Sequence, residues 1–285
     1  MTMRLLFFLS AAVSVLFSQQ DSITLQLANA ERSFSALSEK EGIKNSFLTY
    51  LDDDCIMFNP HPVNGKQLYA TRPANTALLS WFPLFVEVAA SGDFGISTGP
   101  WEYRKSKQDT VLSVGYFFSI WKKNREGNWK VALDFGINFP KDKLRVEQQD
   151  FHSHTRTSKR VLYPESAQAE LKKIENKFIK NYRTQGAVDA YEASSSGNLR
   201  MYREGSFPAV DKKESLEMIQ QEPPLSDFIP LETSIAFTGD LGYVYGYAVD
   251  AKNDSSSYVR VWRLALSGKE KEWKIAIDIL KPFKQ

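Results

Sequence analysis

Cysteine is all but missing from this chain of 285 residues, with Cys55 standing alone. No intramolecular disulfide can form even in an oxidising compartment, so the fold must rest on its hydrophobic core. The run Cys55-Ile56-Met57-Phe58 marks that thiol as a small buried hydrophobe rather than a reactive group. Histidine is almost as scarce, and His61, His152 and His154 are the only three. A site built from several histidines is thereby nearly excluded, and His152-Ser153-His154, with neither Cys nor another His nearby, reads as solvated linker. No metal and no cofactor is expected. An excess of one charge is missing too: 36 Lys and Arg stand against 34 Asp and Glu, and the basic residues are scattered. The basic stripe that a nucleic-acid partner requires is absent.

Long apolar runs are missing except for Leu5 to Phe17. That stretch is shorter than the roughly 20 residues that span a bilayer. With Arg4 before it and Ser18-Gln19-Gln20-Asp21 after it, it has the form of an export signal. Residues 1–18 are therefore expected to be removed. The remainder is expected to lie in the periplasm or outside the cell, with no membrane segment.

What the chain does contain is a copy of itself. Ala30-Glu31-Arg32-Ser33-Phe34 returns as Ile174-Glu175-Asn176-Lys177-Phe178, and Trp129-Lys130-Val131-Ala132-Leu133-Asp134 returns as Trp273-Lys274-Ile275-Ala276-Ile277-Asp278, both at an offset of 144. Ser91-Gly92-Asp93-Phe94-Gly95 answers Thr238-Gly239-Asp240-Leu241-Gly242 at an offset of 147. A period this long marks a duplicated domain, since solenoid units run roughly 20–50 residues. The expected division is copy one over 19–139, a linker over 140–165 and copy two over 166–285.

Each copy opens on an amphipathic helix. Ile23, Leu27, Ala30, Phe34 and Leu37 share one face, with Asp21 or Ser22 as a cap, and Leu171, Ile174, Phe178 and Tyr182 do the same in copy two. A second short helix is predicted at Ile43 to Leu51 and at Ala187 to Ser194, followed by strands at Asp54 to Asn59 and Asn198 to Arg203. Four-strand meanders close each copy: Trp81 to Ala89, Gly92 to Tyr103, Val111 to Lys122 and Asn128 to Phe139, then Phe228 to Phe237, Asp240 to Asp250, Ser257 to Leu266 and Glu272 to Leu280. In the last strand Trp129, Val131, Leu133 and Phe135 alternate with Lys130, Ala132 and Asp134, the pattern of a sheet with one apolar face. The class is α+β, with helices packed across a curved sheet.

The order helix, helix, short strand, helix, meander, with Ser91 to Trp101 reading SGDFGISTGPW and Ile120-Trp121 followed by Trp129-Lys130-Val131, resembles the nuclear-transport-factor-2-like superfamily. Within it the likeness is to SnoaL-like and ketosteroid-isomerase-like domains, here in two tandem copies. The resemblance implies a cone-shaped half-barrel enclosing an apolar pocket, and pairing of the copies through their sheets about a pseudo-twofold as an internal pseudo-dimer. In the isomerases a general-base Asp closes the first short strand just before a Pro. That position holds Asn59 before Pro60 in copy one and Arg203 before Glu204 in copy two, and neither side chain accepts a proton near neutral pH.

The candidate bases left are His61 and Asp54, although Asp52-Asp53-Asp54 also suits the solvent-exposed end of a helix. Candidate ligand contacts are Asn59, Trp81, Trp101 and Trp121 in copy one, and Arg203, Tyr245, Tyr247, Arg260 and Trp262 in copy two. The aromatics and Arg260 of copy two, at strand spacing, equally suit a core or an interface. Asp134 and Asp278 occupy equivalent places on the polar side of the last strand. Three readings follow: a binding or association protein for a small, apolar or amphipathic molecule; a lyase, isomerase or cyclase acting by proton transfer in copy one; or a structural chain whose copies mimic a dimer. N-terminal sequencing of exported protein should place the mature start near Gln19, and an intact Met1 on a membrane-embedded product would contradict the signal.

Overall fold

The computed structural model describes residues 5–143, 151–156, 164–267 and 270–283. Copy one runs α1 (Leu5–Glu41), α2 (Ile43–Tyr50), β1 (Leu51–Phe58), β2 (Pro62–Asn64), α3 (Gly65–Thr71), β3 (Leu78–Trp81), β4 (Phe85–Val88), β5 (Phe94–Arg104), β6 (Ser113–Lys123) and β7 (Trp129–Phe139). After β8 (His152–Thr155), copy two runs α4 (Pro164–Gln185), α5 (Ala187–Ser194), β9 (Ser195–Arg203), α6 (Lys212–Gln221), β10 (Leu225–Ile235), β11 (Leu241–Asp250), β12 (Ser255–Ser267) and β13 (Glu270–Pro282). The first sheet orders β2-β1-β7-β6-β5-β4-β8, with β3 also on β5, and the second orders β10-β11-β12-β13-β9. In both, the last strand of the meander lies parallel to the first strand of its copy. Among the described residues no helix is long and apolar enough to cross a membrane.

Three elements differ from the expectation. Helix α1 passes through Asp21 and Ser22, because Leu5 to Glu41 holds no Pro or Gly to break it; it ends at Gly42, whose φ of 87° suits glycine. The strand predicted over Trp81 to Ala89 divides at Phe82-Pro83-Leu84, where proline supplies no N–H to the ladder. The kinked backbone crosses Gly99 so closely that a β-carbon there would sit 2.0 Å from the Phe82 carbonyl oxygen. The linker is not wholly irregular either. His152 to Thr155 adds a parallel strand to the edge of β4, and Arg156 behind it is buried.

The sheet was expected to carry one apolar face, and it carries two. A bulge between Ile120 and Trp121 lets Val131 and Leu133 pair with successive residues of β6 and so reverses the pleat. Trp129 and Val131 therefore pack with the helices, whereas Leu133, Phe135, Ile137 and Phe139 join a second cluster on the far side. Copy two has the same bulge between Val261 and Trp262, and Ile277 and Ile279 join that same second cluster. One buried core thus draws on both sheets, through Phe94, Phe118, Tyr202, Tyr243 and Val259 among others. The two Gly-Asp turns also touch, with the Ser91 N–H donating to Thr238 Oγ1 at 3.2 Å and the Ala90 N–H to Asp240 Oδ2 at 3.3 Å.

Glu87 lies fully buried at this junction and accepts from Arg156 at 3.1 Å and from Arg263 of copy two, while Arg156 also pairs with Asp240 at 3.1 Å. Removing one member leaves buried charge uncompensated. Glu87→Ala should cost about 3–5 kcal/mol by urea unfolding, and a loss below about 1 kcal/mol, the range of an exposed pair, would mean that solvent reaches these guanidinium groups.

Candidate functional site

The reversal of the pleat decides what each cone contains. Beyond the bulge Asp134 and Asp278 turn inward beneath the helices, each opposite a residue of the neighbouring strand: Ser119 faces Asp134, and Arg260 faces Asp278. From above, the first helix of each copy lowers a glutamate into the same interior. Glu31 lies one turn from Leu27 and from Phe34, on the apolar stripe, and is fully buried; Glu175 is its counterpart. Each cone therefore holds two carboxylates. Burying such groups is tolerated only where hydrogen bonds, opposite charge or protonation compensate.

Copy two compensates with its own cations. Arg260, fully buried, donates from Nε to Asp278 at 2.8 Å and from Nη1 to Glu175. Arg203 adds a contact to Asp278 at 2.9 Å, and the Tyr191 hydroxyl donates to the same carboxylate at 2.9 Å. Glu175 also accepts from Trp262 Nε1 at 2.7 Å and from the Tyr258 hydroxyl at 3.1 Å. The guanidinium of Arg260 lies 4.1 Å from the Phe178 ring centre, 4.7 Å from that of Phe228 and 5.1 Å from that of Tyr258. That side chain occupies the space between the two carboxylates and the rings.

Copy one keeps the carboxylates and lacks the cation. The shared pairing of Trp121 with Glu31 and Trp262 with Glu175 fixes the register, so Ser119 stands where copy two has Arg260. Asn59 stands for Arg203 and Phe47 for Tyr191. Glu31 accepts from Trp81 Nε1 at 2.6 Å, from Trp121 Nε1 at 2.8 Å and from Ser97. Asp134 accepts from Ser119 at 3.1 Å and from the backbone of Phe135. Among the described residues no Arg or Lys pairs with either carboxylate. Burial raises the affinity of Glu31 for its proton, against the opposing effect of its three donors. Asp134 is pushed up to about 7, by burial first and by the nearby Glu31 second.

The space freed by serine is a cavity of about 410 Å³. Its walls include Phe34, Phe47, Trp81, Phe117, Glu31, Ser119 and Asp134, and its mouth Arg72, Trp101, Tyr103 and, from copy two, Lys281. The volume lies within the roughly 300–1,000 Å³ of small-molecule sites. In copy two a hollow of about 190 Å³ beside Tyr191 and Arg203 lies next to the ion pairs.

The sequence-predicted candidates scatter across the molecule. Trp81 and Trp101 line the cavity, while Trp121 lies beneath it as a donor to Glu31. Asn59 and Asp54 are exposed. His61 packs against Phe283, ring centres 4.4 Å apart, and against Tyr247, away from the cavity. Tyr245 and Tyr247 do not line a second cavity with Arg260 and Trp262, because the pleat of β11 aims them at copy one; Tyr245 meets Phe58 and donates to Glu232 at 2.8 Å. Arg260 and Trp262 are fully buried donors, and Arg203 is tied to Glu222 at 2.7 Å as well as to Asp278. Glu31, Ser119, Phe34, Phe47 and Phe117 were missed. The available signal was an acidic residue, repeated at 144, on the apolar stripe of each copy's first helix. Among the described residues no group of three or more His, Cys, Asp or Glu is placed to hold a metal ion.

No protein-family model matches the sequence, and no curated protein matches it. Solved structures similar to part of the chain include a nuclear-transport-factor-2-like protein of Cytophaga hutchinsonii at 15% identity, with 40% of this chain and 97% of that one covered and a TM-score of 0.33. Nuclear transport factor 2 of Cryptosporidium parvum is similar at 11%, covering 39% and 90%, with a TM-score of 0.32. A ketosteroid-isomerase-like protein of Erwinia carotovora atroseptica is similar at 14%, covering 41% and 97%, with a TM-score of 0.33. Each covers about two fifths of this chain.

The raised Asp134 carries a consequence for stability. Between the usual carboxylate range near 4 and its folded value of about 7, the folded state holds a proton that the unfolded chain has released. Its contribution is complete below about 4 and is lost as pH rises through 7, by at most about 4 kcal/mol. Asp134→Asn should flatten that slope in unfolding titrations from pH 4 to 8 and stabilise the protein at pH 8; an unchanged slope would place the proton elsewhere.

Proposed function

We propose that this chain binds a small organic molecule in the cavity of copy one, and that copy two is the structural partner of that site. The observation that carries the reading is the exchange of Arg260 for Ser119 at one register position. The same frame holds a guanidinium in one copy and, in the other, is open with no cation paired to its carboxylates. Open carboxylates inside a protein cost stability, and a ligand that pairs with them offsets that cost. The apolar stretch Leu5 to Phe17 supports export of the chain as part of the same proposal.

A second reading is favoured by one further observation. A carboxyl poised near 7 in a cavity suits a general acid or base. If the ligand undergoes proton transfer there, Asp134 is the group that exchanges the proton, and His61, packed on Phe283, takes no part. Asp134→Asn would then lower turnover by about 10²-fold or more, with His61→Ala neutral.

The binding reading is tested by ligand-observed NMR with a panel of small neutral and charged aromatic and aliphatic compounds, run on the wild type and on Ser119→Arg. That substitution should refill the cavity as Arg260 does in copy two. Hits on the wild type should vanish in the variant; hits that persist equally in both would place binding elsewhere and refute the assignment.

A further inference from the structure

We propose that the cavity of copy one receives a small organic cation with a guanidinium head, seated where copy two seats the side chain of Arg260. The inference rests on the reading of copy one as a small-molecule site and adds the chemistry of the ligand. Its warrant is internal, because the protein holds a guanidinium in the equivalent frame and displays what that head needs.

The frame has two parts, and copy one keeps both. The first is the pair of carboxylates, Glu31 and Asp134, matching Glu175 and Asp278, which Arg260 bridges from two different nitrogens. A planar fork with several N–H donors spans two acceptors in this way, whereas an ammonium is a point charge and a neutral amide brings no charge. The second is an aromatic cage. In copy two the Arg260 guanidinium lies within 4.1 to 5.7 Å of the ring centres of Phe178, Phe228, Tyr258 and Tyr191. At the equivalent positions copy one has Phe34, Trp81, Phe117 and Phe47, four aromatic rings, all lining the cavity. Tryptophan in place of Phe228 strengthens the attraction of the cage for a cation.

Substitution has been selective. The hydroxyls of Tyr191 and Tyr258, which touch the Arg260 guanidinium and Glu175 respectively in copy two, are absent at Phe47 and Phe117. The rings remain. Glu31 takes Trp81 Nε1 and Ser97 as donors in their place, whereas Asp134, held by Ser119 and the Phe135 backbone where Asp278 has two arginines and a tyrosine, keeps acceptor capacity for an incoming donor. A cavity for a purely apolar molecule has no use for two buried acids. The far end of the ligand meets Arg72, which favours a neutral or anionic tail over a second cation; Lys281 nearby is already paired with Glu204 at 3.4 Å.

The test is isothermal titration calorimetry on the full protein with n-propylguanidinium, which is the arginine side chain as a free molecule, against its neutral analogue n-propylurea. The guanidinium should bind at least ~10-fold more tightly, and both Ser119→Arg and Asp134→Asn should weaken it by at least ~10-fold, as expected for a charge-assisted contact. Asp134→Asn is nearly isosteric and carries the test if Ser119→Arg fails to fold, which circular dichroism would reveal. Equal or tighter binding of the urea, no binding of the guanidinium, or guanidinium binding that survives both substitutions would overturn the inference. If neutral compounds bind and Ser119→Arg displaces them while the guanidinium does not bind, the cavity reading stands and only the cation is lost. If no compound of any charge shows binding sensitive to Ser119→Arg, both fall.

Discussion

A pair of carboxylates at the centre of each cone, with Glu31, Glu175 and Asp278 buried and Asp134 facing the cavity, is the constraint around which the rest of this molecule is arranged. Carboxylates set in an aromatic core are costly unless hydrogen bonds, opposite charge or protonation compensate them. Copy two meets the constraint with two arginines, two tyrosines and an indole, and in doing so sets a guanidinium at the centre of its interior. Copy one meets it with indole and hydroxyl donors and with retained protons, and in doing so keeps its interior open. The difference between the two interiors centres on one strand position, Ser119 or Arg260, with Asn59 for Arg203 and Phe47 for Tyr191 beside it. The aromatic residues around it serve either outcome, since a ring face accommodates a guanidinium as readily as it walls a cavity.

The bulge in the last strand of each copy gives this chemistry its place. Without it, Asp134 would share a face with the residues that pack against copy two, and a carboxylate would enter the core shared by the sheets. With it, the strand presents Trp129 and Val131 to the helices, then Asp134 to the cavity, and Leu133, Phe135, Ile137 and Phe139 to the neighbouring sheet. One extra residue separates the polar interior from the apolar junction.

The duplication, the α+β class and the strands were legible because they are written in local periodicity and in repeated residues such as Trp129 and Trp273. The site was legible only in part. Plain alternation placed Asp134 with Lys130 on a polar face, and no feature of VALDFG announces that the pleat reverses inside it. Grouping Tyr245 and Tyr247 with Arg260 as ligand contacts fails for the same reason, since side-chain parity along β11 depends on which face of the sheet is read as inner. Arg260 as a plug was hidden because its partners lie 18 and 85 residues away in the chain. Glu31 was readable: an acid on the apolar stripe of a helix, preserved at the repeat distance, has to be paired, and the pairing names the interior.

The shared core also explains how an open, acid-lined cavity persists. A sheet with both faces apolar cannot stand alone in water, so neither copy is a complete folding unit by this criterion. Copy two, with its interior filled and its charges matched, offers its outer face to copy one, and Glu87, Arg156, Arg263 and Asp240 tie the edges together. Whatever copy one loses by keeping acids without a paired cation is set against burial that belongs to both. Duplication lets one cone hold the structure while the other departs from the most stable packing, and such departures are where binding sites are found.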